Sequence, residues 1–323
     1  MTGDGSGLPA DAAARLEAFE RTLDCRAPAA RGDCTVLGFG EVSAALVLSA
    51  LPGWVCKRMS GFSDAAMAER HAALIHDSVA RIQAGGVAVV DSRTIPVRLP
   101  GRRPVVYLVQ PRLDASGMGN VILQTGTDAE ALSALQRVLD PVLRVWRGNR
   151  ERDDGIEIGL DAQLSNWHFG PGGPEAGEGA LLDVGTPFVR RADGTYLLDV
   201  EVFLSAVPAG LRAHYRRARA VEDYLADYFV PRRVALDVLG NYHKEGRPDR
   251  LPAALDCVNA WLAAHADELE DARPLTAGEV ADYYREDARQ LELFLRLRRL
   301  DRFLQTRLLR RRYDFVLPGR VRR

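Results

Sequence analysis

The hydrophobic pattern of the chain changes in its first third, and this change limits the folds that the sequence can adopt. Strand-like apolar segments occupy residues 34–51, 54–59, 87–97 and 104–113. A segment with helical spacing, residues 64–84, lies among them and ends at a Gly-Gly pair. Beyond Pro111 helical spacing dominates. The pattern predicts an α+β chain with two lobes: a small antiparallel sheet with one helix, followed by a mainly helical lobe.

The same pattern predicts three parts of the chain. Residues 1–33 form a helical extension, residues 34–110 the sheet lobe and residues 111–323 the helical lobe. Within the sheet lobe, Pro52-Gly53 predicts a turn between two strands. In the helical lobe, Pro141 predicts a kink or a break in a long helix, and residues 156–189 predict short strands with a loose hairpin tip.

Composition excludes several classes of protein. The formal net charge is −1, which removes bulk electrostatics as an argument for nucleic-acid or membrane binding. No window approaches 18 uninterrupted apolar residues, and the N-terminus lacks the basic and apolar regions of a signal peptide. The 4 cysteines show no CxxC pairing, so neither a disulfide scaffold nor a structural zinc site is expected. We expect a cytoplasmic protein.

A glycine-containing turn lies between the first two predicted strands. Gly38, Gly40 and Ser43 occupy it. Glycines at such a turn let backbone amides approach a polyphosphate without obstruction by a Cβ atom. A hairpin turn without any ligand is the alternative interpretation of the same residues.

Lysine is rare in this chain, and one lysine lies in an apolar strand. The sequence has two lysines, Lys57 and Lys244, against 41 arginines. A compact ammonium on a flexible stem suits phosphate oxygens, which favours a binding role for Lys57 over a strand-edge lysine reaching water. Glu69, in the following helix, could pair with Lys57, and a solvated glutamate beside Arg70 is the alternative.

Two acidic motifs follow in the second lobe. Asp161 and Asn166 form a D-x-x-x-x-N loop, and after a predicted hairpin an apolar strand ends in Asp183-Val184-Gly185. One carboxylate that orients a hydroxyl group, with an Asn and an Asp that converge on Mg²⁺, meets the needs of phosphoryl transfer. Each motif alone is compatible with a loop cap or a turn, whereas their joint spacing favours the catalytic interpretation.

Taken in order, these motifs resemble the protein-kinase-like fold, in its small-molecule branch of aminoglycoside phosphotransferases and choline kinases. The resemblance implies that Gly38, Gly40 and Ser43 cover the phosphates of ATP and that Lys57, held by Glu69, contacts them. It implies a hinge over residues 110–113 that binds adenine, in which Gln110 and Leu113 are candidate contacts. Asp161 would be the catalytic carboxylate, and Asn166 and Asp183 would hold Mg²⁺.

Three departures from that pattern leave alternatives open. Gly159 occupies the position where the resemblance expects a histidine, and His168 is a candidate structural substitute. Asp-Val-Gly replaces Asp-Phe-Gly, and no long segment for docking protein substrates follows. The sequence therefore predicts an ATP- and Mg²⁺-dependent phosphotransferase for a small hydroxylated or amino metabolite. A nucleotide-binding regulatory or scaffold protein and an enzyme that transfers AMP are the alternatives.

The C-terminal stretch combines arginines with an apolar stripe. Residues 285–323 contain 13 arginines and 5 acids, with Leu and Phe at helical spacing between them. This pattern favours a helix that packs its stripe on the helical lobe, or on a second copy of the chain in a homodimer. An anionic partner such as tRNA is the less favoured interpretation, because no aromatic stacking platform accompanies the charge.

Overall fold

A five-stranded antiparallel sheet organises the first third of the protein, whose computed structural model describes residues 7–319. The strand order is β1-β2-β3-β5-β4, and each neighbouring pair is antiparallel. The strands are β1 (Cys34–Phe39), β2 (Ser43–Leu48), β3 (Leu51–Met59), β4 (Arg93–Val97) and β5 (Val105–Pro111). Helix α2 (Ala65–Ala84) connects β3 to β4. The predicted α+β class, with a small sheet and one helix before a helical lobe, is confirmed.

The two faces of the sheet belong to two different hydrophobic cores. On β5, Val106 and Leu108 pack into the core that includes α2 and the helical lobe. Val105, Tyr107 and Val109 alternate with them and pack into a second core on the outer face. Because side chains of a strand point to opposite faces in turn, the neighbours Lys57 and Arg58 on β3 also point to opposite faces of the sheet.

The second core is closed by both ends of the described chain. Helix α1 (Ala12–Thr22) places Leu16 and Phe19 against the outer face, and Val316 joins the same core. Helix α1, the predicted helical extension, therefore packs on the sheet lobe. The C-terminal segment contacts both cores, because Val316 packs on the outer face while Tyr313 and Phe315 belong to the core that includes the helical lobe.

A buried ion pair fastens these elements to the central strand. The Arg58 guanidinium donates two hydrogen bonds of 2.8 Å to the Glu20 carboxylate of α1, and both side chains are nearly inaccessible. The Tyr107 hydroxyl donates to the same carboxylate at 2.8 Å, and Arg58 also donates to the Asp314 carbonyl at 2.7 Å. One arginine therefore joins β3, α1 and the C-terminal segment.

Most of the remaining chain is helical, as the sequence predicted. The helices that follow the sheet are α3 (Gly119–Thr125), α4 (Asp128–Glu151), α5 (Gly173–Ala176), α6 (Glu201–Leu204), α7 (Ala209–Arg217), α8 (Ala220–Ala226), α9 (Pro231–Lys244), α10 (Leu251–Ala264) and α11 (Ala277–Phe303). Helix α4 runs through Pro141 without the break that the sequence suggested. Its buried stripe, which includes Val138, Pro141 and Val142, supplies packing that outweighs the lost hydrogen bond.

Two short two-stranded sheets lie between these helices. Strand β6 (Ile156–Ile158) pairs with β9 (Val189–Arg191), and β7 (Trp167–His168) pairs with β8 (Ala180–Leu181). Both pairings are antiparallel. The predicted short strands over 156–189 are therefore present, and they bracket the two acidic motifs.

Two local predictions in the sheet were wrong. The turn between β2 and β3 lies at residues 49–50, because Leu48 pairs with Leu51, while Pro52 and Gly53 lie in a register irregularity of β3. An irregularity tolerates a proline that cannot donate to the ladder. The strand predicted over 87–97 begins only at Arg93, since Val90 donates to the Leu181 carbonyl outside the sheet.

The apolar stripe of α11 is only partly covered within the chain. Leu295 is buried and α11 packs against α9, whereas Leu293, Leu300 and Phe303 are exposed. The described residues give no support for the homodimer that the sequence offered as an alternative. Within residues 7–319, no helix combines the length and the apolar character that crossing a membrane requires.

We predict that Glu20→Ala lowers the free energy of unfolding by about 3–5 kcal/mol, because it leaves the Arg58 charge buried without its partner. Urea denaturation measures the change. Glu17→Ala, on the same helix, removes an exposed ion pair with Arg21 and should cost less than about 1 kcal/mol. Equal losses in the two variants would contradict the anchoring role of the buried pair.

Candidate active site

A cleft of about 360 Å³ lies between the sheet and the helical lobe. Six residues that the sequence singled out line it: Gly40, Ser43, Lys57, Asp161, Asn166 and Asp183. They come from three separate parts of the chain, namely the β1–β2 turn, strand β3 and the loops around the β7–β8 hairpin. The fold therefore brings together the residues that the motif order connects.

The β1–β2 turn forms one edge of the cleft. The Gly40 amide donates to the Ser43 carbonyl at 3.0 Å, and a Cβ atom on Gly40 would lie 2.6 Å from the Ser43 hydroxyl oxygen. A larger residue at position 40 would therefore displace the Ser43 hydroxyl. Gly38 has open space around it and does not line the cleft, so only one of the two glycines reaches it.

Lys57 makes the main polar contact across the cleft. Its ammonium donates to both carboxylate oxygens of Asp183, at 2.6 and 2.7 Å. Burial by itself would raise the pKa of the Asp183 carboxyl, but the Lys57 charge and its hydrogen bonds hold this pKa below its ordinary value. Strand β3 and the loop after β8 are thus joined by an ionised pair.

Helix α2 presents a different residue to this pair than the sequence predicted. Glu69 is exposed and forms an ion pair with Arg98, so it does not hold Lys57. The buried face of α2 instead carries His71, whose Nε2 lies 3.2 Å from the Gly185 carbonyl. Burial lowers the pKa of His71 to about 4, which keeps the ring neutral at physiological pH. Glu69 was assigned wrongly because it lies off the buried face of the helix, which Ala68, His71 and Ile75 form.

The loop that carries Asp161 is held without the histidine expected at residue 159. A Cβ atom on Gly159 would lie 3.0 Å from both the Phe188 Cβ and the Tyr228 carbonyl oxygen, so a larger side chain would push these neighbours apart. The Gly159 amide donates to the Phe188 carbonyl at 2.8 Å, and the rings of Phe188 and Tyr228 stack at 4.2 Å. His168 does not substitute, because its Nε2 lies 3.0 Å from the Asp114 carbonyl.

The Asp161 carboxylate lies among other acids. The Gln163 amide donates to its Oδ1 at 3.1 Å. Burial, the negative charge of Asp237 and that of Asp183 raise the pKa of Asp161 to about 8, against smaller opposing effects of the Gln163 amide and Lys244. Asp161 is therefore a carboxyl group that takes up and releases a proton near neutral pH.

Asn166 is placed beside Asp183 by the backbone. Its carbonyl accepts a hydrogen bond of 2.8 Å from the Leu182 amide, immediately before Asp183. Its side-chain amide lies 3.5 Å from the Asp161 carbonyl. The D-x-x-x-x-N loop and the Asp-Val-Gly turn are therefore neighbours across the β7–β8 hairpin.

The predicted adenine contacts are not part of this cleft. The Gln110 side chain is buried and donates to the Ser92 hydroxyl at 2.8 Å and the Leu182 carbonyl at 2.7 Å. It therefore ties β5 to the strand before Asp183. Neither Gln110 nor Leu113 is among the described residues that line the cleft.

Sequence reasoning missed a polar network on the helical side of the cleft. Asp237 on α9 accepts hydrogen bonds of 3.0 Å from the Gln163 side chain and the Tyr283 hydroxyl, and Lys244 donates to Gln163 at 3.1 Å. Burial raises the pKa of Asp237 to about 6, although these two hydrogen bonds oppose the shift. The scarcity of lysine, which we used only for Lys57, is a signal that could have identified Lys244, since both lysines line the cleft.

Comparison with known proteins places the chain in a family. A family model described as "Family of unknown function (DUF6206)" matches residues 27–302, most of the chain. The protein belongs to the DUF6206 family. No curated protein matches its sequence.

Two solved structures share a distant likeness with this DUF6206 chain. One is described as WaaP in complex with acyl carrier protein, with 14% identity, a TM-score of 0.32 and coverage of 80% of this chain and 93% of that chain. The other is the GDP and kanamycin complex of APH(2")-IIia, with 11% identity, a TM-score of 0.32 and coverage of 73% and 94%. At this TM-score neither likeness assigns a fold or a function.

The DUF6206 cleft offers oxygen ligands of the kind that Mg²⁺ prefers. The Asp183 carboxylate and the Asn166 side-chain amide are hard donors on adjacent loops. The described residues contain no group of three His, Cys, Asp or Glu side chains that could hold a metal by themselves. Mg²⁺ is commonly bound by one or two carboxylates together with substrate phosphates, so the donor set fits a metal that arrives with a nucleotide.

We predict that Asp161→Asn stabilises the folded DUF6206 protein in a pH-dependent way. The pKa of Asp161 is raised in the folded state, so its stabilising contribution is complete below about pH 4 and is lost as pH rises through about 8. The variant cannot ionise and should show a higher Tm than wild type at pH 8.5, with a smaller difference at pH 4.5. Thermal unfolding across this range measures the effect, and a constant difference would contradict the raised pKa.

Proposed function

We propose that the protein is a phosphotransferase that moves the terminal phosphoryl group of Mg²⁺-bound ATP to a hydroxyl group of a small acceptor. The observation that carries the proposal is the Lys57–Asp183 ion pair, in a cleft that Asp161 and Asn166 also line. A strand lysine, a catalytic carboxylate and two metal-binding side chains are the parts that phosphoryl transfer uses.

In this proposal each group of the cleft has a separate task. Lys57 contacts phosphate oxygens, and the turn around Gly40 and Ser43 covers them. Asn166 and Asp183 would hold Mg²⁺, which when bound neutralises phosphate charge. Asp183 would then exchange part of its contact with Lys57 for the metal.

Asp161 would orient the acceptor and accept its proton. The acceptor oxygen attacks the terminal phosphorus, the bond to the bridging oxygen breaks, and ADP leaves with that electron pair. A base is most effective when its pKa lies near the working pH, and burial together with Asp237 brings the pKa of Asp161 to about 8. The positive charge of the bound metal and of Lys244 would favour its ionised form.

Space for an acceptor lies on the helical side. A second cavity of about 560 Å³ adjoins the cleft and shares Tyr224, Tyr283 and Phe294 with it. Ligand sites of small molecules commonly have volumes of roughly 300–1,000 Å³. A small metabolite therefore fits the proposal better than a protein substrate, which needs an extended docking surface.

One observation favours a second candidate, a nucleotide-binding regulatory protein. Active protein kinases need an ion pair between the strand lysine and a glutamate of the following helix. Here Glu69 contacts Arg98, and neutral His71 occupies the buried side of α2. This candidate binds the nucleotide without releasing ADP in the presence of any acceptor.

We predict that Asp161→Asn lowers the rate of ADP release by about 100- to 10,000-fold while ATP binding persists, because only proton transfer and acceptor orientation are lost. Asp183→Ala should weaken Mg²⁺-dependent ATP binding itself. The measurement is coupled ADP release with a panel of small alcohols and amines, together with calorimetric titration of ATP.

Glu69→Gln is the matched control, since its ion pair with Arg98 lies outside the cleft, and it should keep both activity and affinity. If Asp161→Asn and Asp183→Ala retained wild-type activity, the proposal would be wrong. ATP binding without ADP release by wild type would instead favour the regulatory candidate.

A further inference from the structure

An arginine from the last helix is buried in the wall of the cleft. Arg298 on α11 is only 1% exposed, yet its side chain lines the same cleft as Gly40, Ser43 and Lys57. Its Nη1 donates to the carbonyl of Glu41, within the β1–β2 turn. The guanidinium therefore lies directly behind the turn that we propose covers phosphates.

Arg298 differs from the other two buried arginines that the structure describes. Arg58 is bonded to the Glu20 carboxylate, and Arg232 is bonded to the Glu279 carboxylate at 2.8 and 2.9 Å. Arg298 takes part in none of the ion pairs among residues 7–319, and its Nε and Nη2 are buried with no hydrogen-bond partner there. Its Nη1 is bonded to a neutral carbonyl, and the Tyr313 hydroxyl and the carboxylates of Glu41 and Asp301 act on the guanidinium without forming an ion pair with it.

The two lysines that line the cleft both have polar partners. Lys57 meets the Asp183 carboxylate, and Lys244 donates to Gln163. Arg298 thus provides unused donors on the sheet side of the cleft. The chain retains a buried arginine there although burial opposes its charge and no carboxylate of the described residues forms a direct ion pair with it.

Two aromatic rings lie against the Arg298 guanidinium, while its Nε and Nη2 remain without a hydrogen-bond partner among the described residues. The guanidinium carbon lies 5.4 Å from the Phe294 ring centroid and 4.9 Å from that of Phe315. Such cation–π contacts offset part of the desolvation of the charge. They do not use the in-plane N–H groups, which form the donor fork that matches phosphate oxygens.

We propose that Arg298 binds an oxyanion of a polyphosphate chain, through its Nε and Nη2, beside the β1–β2 turn. The inference rests on the proposed function, because the polyphosphate there is that of the nucleotide. When the polyphosphate binds, one of its anionic oxygens accepts hydrogen bonds from Arg298, either in addition to the Glu41 carbonyl or in its place. The C-terminal helix then contributes directly to nucleotide binding and senses whether the phosphates are in place.

The test compares Arg298→Gln and Arg298→Met with wild type in calorimetric titrations of three probes: Mg²⁺-bound ATP, inorganic tripolyphosphate and adenosine. We expect the variants to bind ATP and tripolyphosphate roughly 10- to 100-fold more weakly, the range for a lost charged hydrogen bond, with adenosine binding unchanged. Arg296→Gln removes an exposed arginine of the same helix that pairs with Glu292, and it should behave as wild type.

Unfolding without ligand separates a binding role from a structural one. Removing an unpaired buried charge should leave the Tm of Arg298→Met equal to or above that of wild type. A marked fall in Tm together with unchanged tripolyphosphate affinity would show that Arg298 only anchors Glu41, and would overturn the inference. An equal loss for adenosine and ATP would overturn it too.

The same titrations distinguish this inference from the proposed function. If wild type binds ATP and Arg298→Gln binds it equally well, the inference fails while the proposed function stands. If wild type binds tripolyphosphate through Arg298 but shows no preference for ATP, the phosphate site stands and the nucleotide-dependent function fails.

Discussion

The contact between Lys57 and Asp183 is the interaction on which the cleft depends. It joins two residues that are 126 positions apart in the chain, and it connects the central strand of the sheet to a loop of the helical lobe. The Gly185 turn packs closely against the pair, since a Cβ atom there would lie 3.4 Å from the Lys57 ammonium and 3.2 Å from the Met59 sulfur. The same ion pair therefore holds the two lobes together and positions the groups of the proposed reaction.

Strand β3 carries two cations that point to opposite faces of the sheet, and each forms an ion pair with a distant part of the chain. Lys57 faces the half-exposed cleft, where its carboxylate partner is available for exchange. Arg58 faces the outer core, where Glu20 and Tyr107 enclose it. Arg298 on α11 is a third cation, buried like Arg58 but without a carboxylate. Arg58 is bonded to a carboxylate whereas Nε and Nη2 of Arg298 have no described partner, and this difference favours an anionic ligand for Arg298.

Much of the fold and part of the candidate site could be predicted from local patterns. Alternation of apolar residues predicted the sheet, and the spacing of Asp161, Asn166 and Asp183 around a hairpin predicted that they meet. Glu69 was wrongly assigned, although the helical period of α2 already placed it off the face that His71 and Ile75 form. Gln110 could not be assigned from the sequence, because its hydrogen bonds to Ser92 and Leu182 depend on how β5 packs against the β7–β8 hairpin. Asp237 had no local signature within its helix.

By itself, the sequence determined the order of strands and helices, and it showed that lysine is rare. The strand period also determined that Lys57 and Arg58 point to opposite faces of the sheet. These are consequences of periodicity and composition, which act over a few residues. Only the tertiary structure decided which acid meets each cation: Asp183 for Lys57, Glu20 for Arg58 and none described for Arg298. A salt bridge between distant residues forms only when whole strands and helices pack together. The two cores on either side of the sheet produce that packing, and local propensity cannot.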